Sequence, residues 1–306
     1  MKNTIKNKKV LITGALGQNG IILSSLLLKK NYQVFGWIRK KKYNNKIKRV
    51  NYQIVNLEKK NDILKTLKKI NPSVVIHFAA ENPSYLDQKS IKIFYTKNYK
   101  STKNIIDSIK SLNLNTYFIF GNSSQIFKKK TNVKYNESDK FLASDAYTRF
   151  RLNSLNYLEK VSQKSDFKYT NLILFNHDSK HRNKKFLIPR IINAIKNKDV
   201  NFINQIYKEN IIGDFSHAND ICYAIYLLIK KDIEIKNLIL SSSIKTKINS
   251  LIKDLLKKNS ILIDIKSKPK INTKYIIGDN SLAKKVLKWK PSKNIFDAVN
   301  EIFLNS

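Results

Sequence analysis

The chain of 306 residues has little cysteine, little glycine and few acidic residues. Its single cysteine, Cys222, excludes an internal disulfide and is typical of proteins from a reducing compartment. No apolar run is long enough to cross a membrane. The apolar stretch near the N-terminus is interrupted by Gly17-Gln18-Asn19-Gly20, which argues against a signal peptide. A cytoplasmic location is therefore expected.

The scarcity of acidic residues gives the chain a strong positive charge. Lysine and arginine number 59 against 22 aspartates and glutamates, a formal net charge of +37. Such an excess commonly indicates a polyanionic partner. Here the lysines are spread over the whole length, and the densest run is only Arg39-Lys40-Lys41-Lys42. We interpret the excess as a bias of composition that favours anionic substrates, and we expect no nucleic-acid partner and no membrane partner.

Three of the seven glycines stand close together, at Gly14, Gly17 and Gly20. Residues 10–13 before them have strand character, and the apolar residues 21–28 after them have helical character. A glycine turn between strand and helix lets the backbone approach a phosphate group, and the helix then presents its N–H groups and positive dipole end to the anion. The pattern predicts a dinucleotide site formed by Gly14, Leu16, Gly17, Gln18, Asn19 and Gly20.

The residues after the second predicted strand, 33–38, bear on the choice of cofactor. An acidic residue at this place would bind the ribose hydroxyls and favour NAD. The chain has Arg39 and Lys40 instead. Because a guanidinium pairs with a phosphate in bidentate fashion, these residues predict a 2′-phosphate and hence NADP.

Strands and helices alternate over the first part of the chain, which indicates an α/β fold with a doubly wound parallel sheet covered on both faces. Ligands of such sheets lie at the carboxyl ends of the strands. The hydrophobic content of 42% is sufficient for a sizeable core in one large domain or two associated lobes. His77 ends a buried strand and is interpreted as a core residue. The other strands are predicted at residues 10–13, 33–38, 50–55, 116–120 and 171–175.

Tyr147 and Arg151 lie four residues apart at the start of a helix predicted to run to about residue 161. Such residues share one helical face. A nearby cation favours tyrosinate and lowers the pKa of the phenol, which makes it a usable acid or base near neutral pH. Tyr147 is therefore the candidate acid/base, with Arg151 lowering its pKa.

Several of these segments are similar to one known family. The pattern Thr-Gly-x-x-Gly-x-x-Gly over residues 13–20 resembles that of the extended short-chain dehydrogenase/reductase family. The sequence of residues 12–20 resembles that of its GDP-mannose 4,6-dehydratase branch. Residues 174–182, Leu-Phe-Asn-His-Asp-Ser-Lys-His-Arg, are similar to that branch's Leu-Phe-Asn-His-Glu-Ser-x-x-Arg. Residues 214–220 and 278–291 resemble later segments, so the resemblance runs in order from about residue 9 to residue 304.

The resemblance implies a Rossmann-type fold with a smaller mixed α/β substrate lobe. Residues 1–176, with about 218–241 returning to them, form the predicted NADP-binding domain, and residues 177–217 and 242–306 form the predicted sugar-nucleotide lobe. Asn176 falls on a position that contacts sugar or phosphate, and Arg190 is also expected to bind the substrate. Further cofactor contacts are implied for Asn56, Leu57, Ala79, Ala80, His177 and Arg182.

The resemblance also implies a reaction. A dehydratase of this branch moves hydride from C4 of a sugar nucleotide to NADP⁺, eliminates water across C5 and C6, and returns the hydride to C6. Tyr147 and Ser123, the latter at the family's Thr position, would serve the first step. A glutamate of the pattern Thr-Ser-Glu serves the elimination, but the chain has Gln125 there. An amide neither holds nor releases a proton at useful pH, so elimination is in doubt.

Three functions remain open on the sequence. The first is an NADP-dependent C4 reductase or epimerase, and the second is a true dehydratase whose acid/base has moved, with Glu81 as the candidate. The third is an inactive nucleotide-binding relative that acts as a partner subunit. It stays open because three departures coincide: Gln125 replaces the family's glutamate, Arg151 its lysine and Gly213 an arginine. A GDP-hexose substrate, self-association and the absence of a metal are expected.

Overall fold

The computed structural model describes residues 8–39, 46–80, 88–128, 130, 132–271 and 275–306. Lys40 and Glu81, named above for cofactor choice and for acid/base chemistry, lie outside the described residues. The chain divides into two compact units. Unit 1 comprises Met1–Lys128, Asp139–Ile173 and Ile225–Leu238, and unit 2 comprises Lys129–Ser138, Leu174–Ala224 and Ile239–Ser306. The domain boundaries given above from the sequence stay a prediction.

Strands and helices alternate through most of the described chain. The strands are β1 (Lys9–Thr13), β2 (Gln33–Ile38), β3 (Asn51–Ile54), β4 (Val74–His77), β5 (Tyr117–Ser123), β6 (Val133–Tyr135), β7 (Tyr169–Leu174), β8 (Asn176–Asp178), β9 (Ile212–His217), β10 (Asn237–Leu240), β11 (Lys245–Lys247) and β12 (Ile276–Gly278). The helices are α1 (Gln18–Lys29), α2 (Lys60–Ile70), α3 (Gln88–Ser111), α4 (Ala146–Gln163), α5 (Leu187–Lys196), α6 (Val200–Glu209), α7 (Ala218–Lys231), α8 (Ile248–Lys258), α9 (Ser281–Leu287) and α10 (Ile295–Asn305).

The main sheet has seven strands in the order β10-β7-β5-β4-β1-β2-β3. The pairs β1–β2, β1–β4, β4–β5 and β2–β3 are parallel. Strands β1, β4 and β5 are buried almost throughout, because helices cover both faces of a parallel sheet and demand apolar residues on each. The predicted Rossmann-type α/β fold is confirmed.

The first helix begins earlier than the sequence predicts. Helix α1 begins at Gln18, whereas the apolar run that predicts it begins at residue 21. Gly17 is the N-cap with extended backbone angles, so the polar Gln18 and Asn19 lie in the first turn. The helix N-terminus therefore lies within the glycine pattern itself.

Unit 2 contains two small sheets. Strand β9 pairs antiparallel with β11 and parallel with β8, and β6 pairs parallel with β12. Apolar residues of α5, α6, α8, α10 and β9 form one buried core. This mixture of helices with short strands agrees with the smaller mixed α/β lobe that the resemblance implies. Within the described residues, no helix is both long enough and apolar enough to cross a membrane.

Candidate active site

The turn between β1 and α1 requires glycine at two places. Gly14 has a φ of 69°, and a Cβ there would lie 2.9 Å from the backbone nitrogen of Ala79. A Cβ on Gly20 would lie 2.5 Å from the carbonyl oxygen of Gly14, closer than real Cβ atoms approach an oxygen. The Gly17 N–H donates to the Gly14 carbonyl over 2.9 Å. This compact turn places the N-terminus of α1 directly after β1, at the carboxyl edge of the sheet, where the positive end of the helix dipole fits a phosphate group.

The other glycine-turn residues predicted to bind the cofactor surround this helix terminus. Gln18 is buried, Asn19 is half-buried, and Leu16 lies half-buried in the turn. Ala79 is half-buried and Ala80 is exposed, directly beyond the end of β4. The turn and the residues after β4 thus lie against each other at the carboxyl edge of the sheet, as the resemblance implies.

A buried chain of hydrogen bonds connects β1, β4 and α3. The Thr102 hydroxyl donates to the Asn98 carbonyl over 3.0 Å, so its oxygen accepts from His77 Nε2, also over 3.0 Å. The Nδ1 atom of His77 then accepts from the Thr13 hydroxyl over 2.6 Å, and Thr13 Oγ1 accepts from Ala79 N–H over 3.1 Å. This sequence of donors assigns the proton of neutral His77 to Nε2. His77 is a core residue, as predicted, and positions Ala79 beside the glycine turn.

Burial, together with the charge of Arg151, lowers the pKa of His77 to about 3. We therefore expect stability to fall with acidity below the ordinary histidine value of about 6.5, because the unfolded chain binds a proton that the folded chain refuses. Between pH 7 and pH 5 this one group should cost about 2 kcal/mol of unfolding free energy. Urea unfolding at the two pH values measures the loss.

His77→Gln should make that pH dependence shallower by about the same amount, since an amide does not titrate there. His181→Gln is the control. Burial also lowers the pKa of the half-buried His181, but by less than that of His77, so this change should flatten the pH dependence less. A wild-type chain equally stable at pH 7 and pH 5 would contradict the prediction.

The predicted adenosine-binding residues follow two neighbouring strands. Arg39 comes directly after β2 and is exposed, and Asn56 and Leu57 follow β3. Asn56 Oδ1 accepts from the Glu58 N–H over 3.0 Å, and the Leu57 carbonyl accepts from Asn104 of α3 over 3.0 Å. Because β2 and β3 are paired, Arg39 and Asn56 stand at one corner of the carboxyl edge.

Ser123 ends β5, and Gln125 lies in the short 3₁₀ turn Ser124–Ile126 that follows. Ser123 Oγ accepts from the Gln125 N–H over 3.2 Å, a bond that leaves the hydroxyl proton of Ser123 as a donor. The Gln125 side chain is exposed, whereas Ser124 is buried. The segment before α4 lies alongside this turn, because Leu142 N–H donates to the Ile126 carbonyl over 2.8 Å.

Tyr147 lies in the first turn of α4, after the N-cap Asp145 that accepts from the Thr148 N–H over 2.8 Å. The Arg151 guanidinium carbon lies 5.2 Å from the Tyr147 ring centroid. Arg151 also donates to the Gly121 carbonyl of β5. Arg151 thus joins the helix that carries Tyr147 to the strand that carries Ser123. The catalytic roles of Tyr147 and Arg151 stay predictions.

Four predicted ligand residues lie in unit 2. Asn176 and Arg190 are exposed, and the Arg190 guanidinium lies 4.9 Å from the Phe202 ring centroid. His177 Nδ1 donates to the Phe175 carbonyl over 2.6 Å, and burial, with the charge of Arg182, lowers the pKa of His177 to about 4. His177 is therefore neutral near pH 7.

Arg182 is held by two neighbours on the same loop. Its Nε lies 3.2 Å from Asp178 Oδ1, an ion pair whose angles are poor for a hydrogen bond. Its guanidinium lies 3.5 Å from the Phe186 ring centroid. Burial raises the pKa of Asp178, and Arg182 opposes that change. The loop from β8 to α5 thus fixes one cation by charge and by an aromatic face.

The sequence patterns did not indicate a structural role for Asp214, although it lies in a segment that resembles the family. It is fully buried and accepts from Ser242 N–H over 2.9 Å, Ser243 N–H over 3.0 Å and Gly278 N–H over 3.2 Å. Burial raises the pKa of Asp214, and these bonds oppose it. A Cβ on the preceding Gly213 would lie 3.2 Å from the Phe215 ring.

The seven-stranded sheet with a glycine turn between its first strand and first helix is the architecture of the extended short-chain dehydrogenase/reductases. A sequence profile of the family described as GDP-mannose 4,6 dehydratase matches residues 11–302. The chain therefore belongs to the GDP-mannose 4,6 dehydratase family, whose relatives include nucleotide-sugar dehydratases and epimerases.

Individual relatives are distant. The GDP-mannose 4,6 dehydratase of Drosophila melanogaster is 23% identical over 74% of this chain and 62% of its own length, so less than two thirds of that relative is matched. The UDP-glucose 4-epimerase of Mycoplasma genitalium is 22% identical over 96% of this chain and 94% of its own. The UDP-glucuronic acid 4-epimerase of Bacillus cereus, crystallised with NAD, superposes with a TM-score of 0.82 at 18% identity, covering 97% of this chain and 98% of its own.

Proposed function

We propose that this chain is an NADP-dependent enzyme that transfers hydride at C4 of a nucleotide-linked hexose, as a 4-ketoreductase or an epimerase. One observation carries the proposal. Arg151 contacts the Tyr147 ring and donates to the Gly121 carbonyl, two residues before Ser123 on β5, while Gln125 in the adjacent turn supplies no ionisable group. The chain thus keeps residues for alcohol and ketone chemistry and has an amide where its family carries the acid/base for elimination.

The proposed chemistry assigns a proton to each residue. Tyr147 takes the proton of the C4 hydroxyl when hydride leaves C4, and returns it when a C4 ketone is reduced. Ser123 donates to the same oxygen, since its own oxygen already accepts from Gln125 N–H. NADP, when bound, supplies the hydride acceptor or donor. The steric demands at Gly14 and Gly20 fit a diphosphate lying against the turn.

The substrate is proposed to be a GDP-hexose, by analogy with the dehydratase relatives. The exposed Asn176 and Arg190 are proposed to contact it, and His177 and Arg182 to contact the cofactor. Gly213 stands in place of the family's arginine, so this cation is missing. Among the described residues, Arg190 is the candidate to bind a phosphate of the substrate in its place. The protein is also proposed to associate with itself.

Mass analysis of products tests this function. The protein is incubated with NADPH or NADP⁺ and with GDP- and UDP-hexoses or their 4-keto forms. A gain of two hydrogens indicates a ketoreductase, and an unchanged mass with altered stereochemistry at C4 indicates an epimerase. Loss of water would contradict the proposal and indicate a dehydratase with a displaced acid/base. No reaction with any of these substrates, despite cofactor binding, would support the inactive relative.

Arg39→Ala should weaken NADPH binding far more than NADH binding, because only NADPH carries the 2′-phosphate that the guanidinium can bind. A charge-assisted contact contributes about 1.5–3 kcal/mol, roughly a tenfold to hundredfold change in Kd. Fluorescence titration with both cofactors measures the two changes. Lys48→Ala removes another exposed cation and serves as the control. Equal affinity of the unmodified protein for NADPH and NADH would contradict the assignment.

A further inference from the structure

The strands of the main sheet begin at one edge of unit 1, here called the amino edge. Helices α1, α2, α3, α4 and α7 each end shortly before a strand of this sheet begins. Since the strands are parallel and each crossover helix runs back against them, the carboxyl ends of these helices lie at the amino edge. The candidate active-site residues of unit 1 follow strand ends at the opposite, carboxyl edge.

Lysines are concentrated at the amino edge. Helix α2 ends with Lys68 and Lys69, and α7 ends with Lys230 and Lys231. Lys110 lies in the last turn of α3, and Lys164 is the C-cap of α4. All six side chains are exposed. One cation is enough to complement a helix dipole, so the paired lysines exceed what helix stability requires.

The acidic residues close to these strand starts are already paired. Asp232 accepts from Lys8 and from Lys168, each over 2.9 Å. Glu234 accepts from Lys236 over 2.8 Å. Within the described residues, none of the six exposed helix-terminal lysines has an ion pair. Their charge is therefore directed at solvent or at a partner.

The composition of the chain does not account for this distribution. Over residues 8–9, 28–33, 67–73, 109–116, 159–169 and 229–237 of the amino edge, thirteen lysines stand against four acidic residues. Over residues 13–20, 39, 55–62, 78–80, 121–128 and 139–149 of the carboxyl edge, six basic residues stand against four acidic ones. Residues 40–45 and 81–87 are outside the comparison. A uniform bias would give both edges similar charge, so over these described ranges the charge is polarised along the strands.

The side chains of the amino edge distinguish between polyanions. Its aromatic residues are all buried, at 2–8% exposed, and offer no surface on which bases stack: Tyr32, Tyr117, Phe167, Tyr169 and Tyr226. Apart from the exposed Arg49 before β3, the cations there are lysines. Lysines act as hydrated point charges, whereas arginines bind phosphates in bidentate fashion. A broad array of exposed point charges without stacking or insertion suits a charged lipid surface.

We propose that the amino edge of unit 1 binds the surface of membranes that contain anionic lipids. Composition alone led us to expect no membrane partner, and the placement of the lysines revises that expectation. The carboxyl edge of the same sheet, with Ser123 and Tyr147, then faces away from the lipid. Substrate can reach that edge while the protein is bound.

Vesicle flotation tests the proposal with the full chain. Vesicles of phosphatidylcholine with roughly 30% phosphatidylserine are compared with pure phosphatidylcholine, at low salt and at about 0.5 M salt. Lys68→Gln, Lys69→Gln, Lys230→Gln and Lys231→Gln are combined in one variant. The matched control combines Lys257→Gln, Lys258→Gln, Lys284→Gln and Lys285→Gln, which removes the same charge from exposed helix ends of unit 2.

We expect the unmodified protein to bind only the anionic vesicles and to be released by salt. The amino-edge variant should lose at least about tenfold in partitioning, since each lysine near such a surface contributes about a factor of five. The control variant should stay within about threefold. Equal losses in both variants would show that total charge decides, and would overturn the proposal. So would failure to bind the anionic vesicles, or tighter binding to duplex DNA than to vesicles at the same salt.

Discussion

Replacing Tyr147 with phenylalanine should remove most of the turnover while leaving NADPH binding nearly intact. The variant keeps the ring that lies 5.2 Å from the Arg151 guanidinium carbon, so the contact between that ring and Arg151 survives. Only the phenolic hydroxyl is lost, and with it the group proposed to move the C4 proton. General acid/base groups contribute about 10²–10⁴-fold, and kcat on a confirmed substrate should fall within that range.

Tyr157→Phe is the matched control for this experiment. Tyr157 lies on the same helix, and its hydroxyl donates to Asp107, away from the end of β5. The same chemical change there should leave kcat within about twofold, even if it lowers stability by about 1.5–3 kcal/mol through the loss of a hydrogen bond to a charged group. If Tyr147→Phe retained full activity, Tyr147 would not be the acid/base.

Gln125→Glu should introduce water elimination, the second large effect expected for this chain. The side chain keeps its length and gains a carboxylate that can take the C5 proton. Gln125 is exposed, so the new charge carries little desolvation cost. Elimination from a bound GDP-hexose should rise by about 10²–10⁴-fold over the unmodified protein, seen as a product lighter by one water.

Gln163→Glu adds the same charge at the exposed end of α4 and should eliminate nothing. Cofactor and substrate affinities are measured in parallel, because this chain has Gly213 where relatives of this branch carry an arginine. A Gln125→Glu chain that binds both ligands and eliminates no water would refute the idea that this position separates the chain from dehydratases. Elimination by the unmodified protein would instead direct attention to another carboxylate, beginning with Glu81.

The sequence predicts the parts of the fold that depend on local patterns. Residues 10–20 combine a buried strand, a glycine turn and the start of a helix. Each of these three features is indicated by a pattern of neighbouring residues. The run of apolar strands between helices likewise predicts a parallel sheet. The start of α1 was misplaced because the apolar period begins at Ile21, whereas the helix begins with the polar Gln18.

Contacts between distant residues could not be predicted from such patterns. His77 was correctly assigned to the core, but its partners Thr13 and Thr102 are chosen by the packing of three elements. Arg151 was predicted to act on Tyr147, yet no sequence pattern indicated its bond to the Gly121 carbonyl. The roles of the predicted ligand residues stay predictions. The spacing of residues indicates where a side chain lies, but only a bound ligand shows what that side chain binds.

The interleaving of the two units has a consequence for synthesis on the ribosome. Strand β10 completes the sheet of unit 1 only after residues 237–240 have emerged, long after β7. The hydrogen bonds of Asp214 form later still, because its donors are the backbone N–H groups of Ser242, Ser243 and Gly278. In a nascent chain shorter than about 280 residues, the Asp214 carboxylate therefore lacks the N–H donors that it has in the folded protein, and the apolar core is incomplete. We therefore expect the growing chain to expose apolar surface to chaperones until Gly278 has emerged.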